Sequence, residues 1–576
     1  MKRRNFLQLI STGGAVLSSG AILSPTSARA QQERAALRAG KNELAADVVI
    51  AGGGMGGCAA ALAALRNGLR VIMTEETDWV GGQLTQQGVP MDEHRWIEQF
   101  GATRTYREFR TAIREYYRRN YPLTEAARAR WNLNPGDGSV SRVAHEPRVS
   151  LALFHDLLNP YLASKKLILL LEHKAVSADV NGDKVTALKI RSLRTGNETV
   201  LRAPYFVDAT ELGDLLPMTG TEFVMGAESQ KETGELHAPE KGDPLNQQAF
   251  TVCFAIDYVA GTNNVGDKPR NYEFWRDYVP QLTPPWSGNL LSFTYSSPVT
   301  LKPRTLPFID NKTSLGTSSW FRYRRIVNKE NFTPGFYPGD ISIINWPQND
   351  YLPGPLVGVS EEEAAKHVEG GKELSHALLY WIQTEAPRDG GEGQGYPEVS
   401  LRGDIMGTED GMAKYPYIRE ARRIKAETIV MEQQIGRDAR AKFTGQPLNE
   451  VAAEKFKDSV GLGSYNIDLH PSTGGDNYID VPSLPFQIPL GTLLPVRVTN
   501  LLPACKNIGT THITNGCYRL HPVEWNIGES VGLLVAYALE KKEEPRAIRA
   551  KANLLSDFQN RIRAQGVETD WPKGQF

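Results

Sequence analysis

The sequence predicts an α/β fold: a Rossmann-like domain, built on a parallel sheet plus an antiparallel meander, into which a large loop-rich α+β domain is inserted. Three observations carry this. Residues 47–77, DVVIAGGGMGGCAAALAALRNGLRVIMTEET, read as strand, tight turn, helix and strand. Far downstream, RVTNLLPACKNIG reads as an apolar strand returning to that sheet, with a helix after it. Between them, from about 230 to 475, Pro, Gly and aromatic residues dominate, among them Trp275, Trp286, Trp320 and Trp346.

In order along the chain, KRRNFLQ, a mildly apolar stretch with Gly and Ser, and SARA ending at Ala30 form a twin-arginine export signal over 1–30. Lys2 stands where Ser or Thr is usual. The apolar run is too short and too Gly-broken to cross a bilayer. The expected compartment is the periplasm, and the expected partner is the export machinery that moves folded proteins. A polar, loosely ordered leader is expected over 31–44.

The nucleotide unit then begins. Val48–Ile50 is a buried strand, and Gly52, Gly54 and Gly57 follow with G-x-G-x-x-G spacing. The helix ends at Asn67-Gly68, and the strand Arg70–Thr74 delivers Glu75. Gly52 permits the turn, Gly54 lets backbone approach a pyrophosphate, and Gly57 lets helix pack on strand. The helix start offers free N–H groups and a positive dipole end to a diphosphate. Glu75 is placed to accept hydrogen bonds from a ribose diol. The unit therefore calls for an adenine dinucleotide.

A Gly-rich loop follows with Trp79, Gly81, Gly82 and Gln83. The basic, aromatic stretch 104–131 reads as a solvated amphipathic helix. EPRVSLALFHDLLNPYLASKK is a helix and LILLLEHKAVSADV a strand. NGDKVTALKIRS and ETVLRAPYFVDAT make a meander around an Asn-Gly turn and lead into a buried strand. Within the insert, helices are expected near 360–385 and over Tyr417–Ile435. The last helix is PVEWNIGESVGLLVAYALEK, with Pro522 at its start. The expected division is 1–30 signal, 31–44 leader, 45–230 and 478–545 dinucleotide domain, 231–477 substrate domain and 546–576 tail.

At 576 residues the chain holds two or three domains. A net charge of -1 argues against nucleic-acid or polybasic membrane partners. Four Cys make no disulfide framework. No H-E-x-x-H or G-x-S-x-G motif supports metal or acyl-transfer chemistry.

These pieces resemble FAD-binding flavoproteins of the glutathione-reductase type, and more closely the exported bacterial proteins grouped as FAD-dependent oxidoreductases. The matches are Gly52–Gly57 with Glu75, Gly81-Gly82, FVDATELGDLLPMTG, YIREARRI, and the strand–loop–helix from Asn500 to Tyr537. The resemblance implies FAD. The distant C-terminal return supports flavin over nicotinamide, because an extended FAD takes contacts from both ends of a chain. Two departures stand out: Glu211 replaces the Gly of the usual Ala-Thr-Gly, and Ala504-Cys505-Lys506 replaces the usual Gly-Asp or Gly-Arg.

The resemblance implies a cofactor set of Gly52, Gly54, Gly57, Glu75, Gly81, Gly82, Gln83, Asp208, Ala209, Thr210, Asp214 and Gly528. FAD supplies the redox chemistry, and protein must stabilise charge on the reduced flavin. Arg519 is a candidate for that, against a surface ion pair. His512 and His521 are candidate acid–base groups, because His titrates near neutral pH. Arg419 and Arg422, at helical spacing, either bind a substrate carboxylate or form a salt-bridge network on a helix surface. Cys505 and Cys517 are either buried thiols or a redox pair. The expected activity is removal of a hydride from a small organic substrate (CH–OH, CH–NH or CH–CH), with electrons passed to oxygen, a quinone or a carrier. The alternatives are a fumarate-reductase-like reductase and a flavin-bearing carbohydrate-binding protein.

Overall fold

The computed structural model describes residues 42–309 and 319–574. The export signal expected over 1–30 and most of the leader lie outside them. The leader's end is ordered: Glu43–Ala45 forms a strand, β1. Next come β2 (Val48–Ala51), α1 (Met55–Arg66) and β3 (Val71–Glu75). After α2 (Arg104–Asn120) and α3 (Pro147–Ala163), five strands follow. They are β4 (Leu167–Leu171), β5 (His173–Asn181), β6 (Lys184–Ser192), β7 (Glu198–Arg202) and β8 (Tyr205–Asp208).

β2 is buried along its whole length, as the unbroken apolar run VVIA requires of a strand covered on both faces. β3 and β8 flank it in parallel, with Val48 opposite both Val71 and Tyr205. The meander is a second sheet in the order β1-β7-β6-β5. Its β5–β6 turn places Gly182 at φ +58°, the left-handed conformation that suits an Asn-Gly hairpin. β1 adds in parallel to β7, so the leader's last residues extend this sheet rather than trailing loosely.

The second hydrophobic core gathers residues from Phe250 to Tyr478. Its sheet comprises β9 (Phe254–Tyr258), β10 (Arg325–Val327), β11 (Asp340–Ile344) and β12 (Val399–Leu401), in the order β10-β11-β9-β12. The long helix α4 (Glu361–Thr384) covers it, its N-terminus capped by the Ser360 hydroxyl. Trp275, Trp286, Trp320 and Trp346 are all buried there, Trp320 stacked on Trp346 at 4.7 Å.

The chain returns through β13 (Leu501–Pro503), which pairs in parallel with β8 and completes the five-stranded sheet β13-β8-β2-β3-β4. The short α5 (His512–Tyr518) and the long α6 (His521–Lys541) follow, α6 with Pro522 in its first turn. α6 lies against α1 without intervening side chains. A Cβ at Gly528 would stand 2.0 Å from the Gly56 carbonyl oxygen, and one at Gly532 2.3 Å from that of Ala60. Gly528, expected among the cofactor residues, therefore serves the contact with α1, as does Gly532. Where a tail is expected, α7 (Pro545–Ala550) and α8 (Ala552–Ala564) form.

Two further expectations change. No helix covers Tyr417–Ile435: Arg423–Ile424 is a strand pairing with Phe223–Val224, and only Glu432–Ile435 is helical. The buried Arg419, Glu420 and Arg423 bond to three other segments of the chain, at Gly226, Ala249 and Thr510–His512, and these contacts outweigh local helix propensity. α2 is not simply solvated either. Arg110 and Arg114 are buried in it; Arg110 pairs with Glu93 at 2.7 Å, and both reach Glu98. These hydrogen bonds outweigh burial and hold the Glu98 carboxyl down at about 2.

Candidate cofactor and substrate site

The turn after β2 is shaped by close backbone approach. Gly52 takes φ +100°, and a Cβ there would stand 2.1 Å from the Ala209 carbonyl oxygen. Gly57 meets the Gly52 carbonyl at 2.1 Å in the same sense, so α1 sits tightly on its own strand. Gly81 and Gly82, both left-handed, carry the next loop across the start of α1, with Gly82 against the Met55 nitrogen. Among the described residues the N–H groups of Gly54 and Met55 have no protein acceptor, and these are the groups a helix start turns toward an anion.

Glu75 ends β3 beside this turn. It accepts from the Gly53 N–H at 3.0 Å and from the Thr77 N–H at 2.9 Å. Burial nevertheless pushes its carboxyl up to about 7. Gly52, Gly54, Glu75, Ala209, Thr210 and Lys174 line a small cavity of about 30 Å³. Asp208 is turned inward: it accepts from the Thr210 N–H and hydroxyl and from the Leu215 N–H, which closes the turn after β8. Asp214 pairs with Arg422 at 3.2 Å, and both border a different cavity, beside α4.

These features fit an adenine dinucleotide: a glycine crook, unpaired helix-start amides and an acid at the end of β3. Gln83 fits as well. Its Nε2 donates to the Arg519 carbonyl at 3.0 Å and to Glu524, while its buried Oε1 has no partner. Gln87 is buried with neither amide atom paired. One side chain stands against the fit. Glu211 Oε1 lies 2.9 Å from where a Cβ of Gly54 would be, over the anion position, and Glu524 accepts the Gly56 N–H at 3.2 Å. Lys506 bridges them, bonded to Glu211 and 3.7 Å from Glu524. Burial pulls the ammonium toward neutrality, but Cys505, Glu211 and Glu524 outweigh it and hold it charged. Donor atoms of Glu211, Cys505 and Glu524 lie within 4.8 Å of one another, and the cation among them is the Lys506 ammonium. Cys505 and Cys517 are separate buried thiols.

A larger cavity, about 650 Å³, opens between the loop at Asp92, the aromatic core of the insert and Arg519 just before α6. Arg519 donates to the Tyr417 hydroxyl at 2.7 Å and to Asp468. Arg419, on the same cavity, pairs with Asp350 at 3.1 Å; Arg422 does not reach it. The candidate histidines separate. His512 Nδ1 is 2.9 Å from Glu420, which outweighs burial and raises its pKa. His521 accepts the Asp92 N–H at 3.1 Å, and burial pushes its pKa down to about 3. Neither borders the large cavity. Sequence reasoning passed over His470, which does border it and whose Nδ1 lies 2.5 Å from Asp350. It also left Arg324 unmarked, 3.6 Å from Asp92 on the same wall. No local spacing marks Asp350 with His470, because 120 residues separate them.

No curated protein matches the chain. Among solved structures, it is similar to an L-proline dehydrogenase from P. horikoshii at 17% identity over 32% of this chain and 24% of that one, with TM-score 0.17. It is similar to the OxyS anhydrotetracycline hydroxylase from Streptomyces rimosus at 10% identity over 90% of this chain and 66% of that one, with TM-score 0.34. A third is a geranylgeranyl bacteriochlorophyll reductase-like protein from Thermoplasma acidophilum, at 11% identity over 92% and 85%, with TM-score 0.30. The matched regions thus span less than two thirds of the first two chains. The sequence profile described as FAD dependent oxidoreductase matches residues 47–562, from the first strand of the crook to the last helix. The chain belongs to the FAD dependent oxidoreductase family and is an enzyme that uses FAD.

Proposed function

We propose that this enzyme works in the periplasm, removing a hydride from a small organic substrate held in the large cavity and passing the electrons to oxygen, a quinone or a carrier. The observation that carries the reading is the position of that cavity. It is bounded by the loop that follows the crook, by the insert and by Arg519, whose carbonyl Gln83 holds. FAD, when bound, supplies the two-electron acceptor. This chain's part is to seat the ligand and keep water away from it. Gln83, with an unpaired carbonyl oxygen, and Gln87, with its whole amide unpaired, are the side chains proposed to face the flavin. Arg519 supplies positive charge there, itself balanced by Asp468 at 3.2 Å.

Export is proposed from Arg3 and Arg4 and the apolar stretch after them. Among the described residues no helix is long and apolar enough to cross a membrane. The test is anaerobic: the FAD-loaded protein is isolated from a periplasmic fraction, and small alcohols, amines and acids are screened for bleaching of the flavin band. Bleaching by an organic substrate is the expected result. Bleaching by electron donors alone would replace this reading with the reductase. Changing Arg3 and Arg4 to Lys should hold the protein in the cytoplasm.

A further inference from the structure

The large cavity has an imbalance of hydrogen-bonding groups. Four buried nitrogens on its lining residues have no hydrogen-bond partner, Asn345 Nδ2, Trp346 Nε1, Arg419 Nε and Arg519 Nε, while Arg324 Nη1 has only the Asp92 carboxylate, at 3.6 Å. No lining residue has an unpaired buried acceptor among the described residues. Five arginines, Arg95, Arg304, Arg324, Arg419 and Arg519, line the cavity against three carboxylates, Asp92, Asp468 and Asp480, so the cavity suits an anion rich in acceptors. The walls carry broad ring faces, with Tyr323 5.1 Å from Trp346 and Tyr478 5.3 Å from His470. Such faces suit the C–H face of a compact oxygenated skeleton.

On the same wall sits a dyad. His470 Nδ1 is held at 2.5 Å by Asp350, which also takes the Thr251 hydroxyl and the Arg419 guanidinium. This bond directs the Nδ1 proton to Asp350 and leaves His470 Nε2 with a lone pair. Nε2 has no hydrogen-bond partner among the described residues and lies 3.9 Å from Asp468. The groups facing the ring are Asp350, Asp468, Arg419 and Tyr478. Burial and Arg419 together outweigh the two carboxylates and keep the imidazole neutral at pH 7.

Resting on the proposed hydride removal, we infer that the substrate is a hydroxylated carboxylate of the sugar-acid class and that His470 is its base, with Asp350 the positioning residue. His470 Nε2 would take the hydroxyl proton, and FAD, when bound, would supply the acceptor for the hydride of the same carbon, so that C–O becomes C=O. The imidazolium, stabilised by Asp350, then returns its proton to water.

The probes are galacturonate, glucuronate and gluconate, with neutral galactose as the control. Binding to the FAD-loaded protein is followed by tryptophan fluorescence, since Trp346 lines the cavity, and reduction by anaerobic flavin bleaching. At least one acid should bind about tenfold or more tighter than galactose. Asn345→Asp keeps the oxygen that accepts from Arg419 and exchanges the donor for a charge. It should remove that preference without loss of FAD. His470→Gln should leave acid binding within about threefold but slow bleaching about 100-fold or more and flatten its pH profile. Failure of every acid to bind, while an amine or a neutral alcohol bleaches the flavin, would overturn the substrate class and leave the hydride reading standing. Unchanged bleaching in His470→Gln would overturn the base. Absence of bleaching by any organic compound would instead sink the proposed function.

Discussion

The ammonium of Lys506, sealed from solvent beneath the crook, bonds to the carboxylate of Glu211, which is 11% exposed. Each residue is a departure from the family pattern, and the two departures are one contact. A bound diphosphate would meet the Glu211 oxygen that lies over Gly54.

Glu211→Gln should therefore tighten FAD by about tenfold, about 1.4 kcal/mol, through loss of like-charge opposition. Titration of the deflavinated protein with FAD measures it. Weaker binding would mean that the carboxylate helps the cofactor.

Lys506→Met leaves two buried carboxylates without their cation, and breaking a buried ion pair in this way costs about 3–5 kcal/mol. Its unfolding midpoint in urea should fall sharply. Adding Glu211→Gln should recover part of the loss, and strictly additive effects would show that the pair is not coupled.

Gly528→Ala drives a methyl group into the Gly56 carbonyl at the α1–α6 contact. Overpacking of this kind costs about 1–3 kcal/mol, and here backbone rather than a side chain must yield. Thermal scans should show an earlier transition, with FAD lost in the same step because α1 carries the crook.

His521 stays neutral down to about pH 3, against an ordinary value of 6.5, because burial disfavours the imidazolium. A group with a depressed folded pKa contributes stability above 6.5 and loses it as pH falls toward 3, at up to about 1.4 kcal/mol per pH unit. His521→Asn keeps an acceptor for the Asp92 N–H and does not titrate. Its stability should fall less steeply than that of the parent between pH 6.5 and 4, where denaturant midpoints give the slope directly. Equal slopes would mean that this ring gains its proton without opposing the fold.

The sequence by itself determined the β2–α1–β3 unit, the meander with its Asn-Gly turn, the return of β13 and the long α6. Each is written in local periodicity and glycine placement, which depend on neighbours a few residues apart. Tertiary structure alone decided what the charged residues do. Arg110 and Arg423 have the look of helix-surface residues and are buried, because carboxylates outside their own segments meet them, Glu93 from the preceding loop and Glu228 from 195 residues away. Glu211 was visible only as an odd letter until Lys506 arrived from the other end of the chain. Asp350 and His470 belong together because the insert folds a strand and a loop onto one wall. Spacing along a chain encodes which backbone forms; which charges meet depends on loops closing over more than a hundred residues, and no local pattern records that.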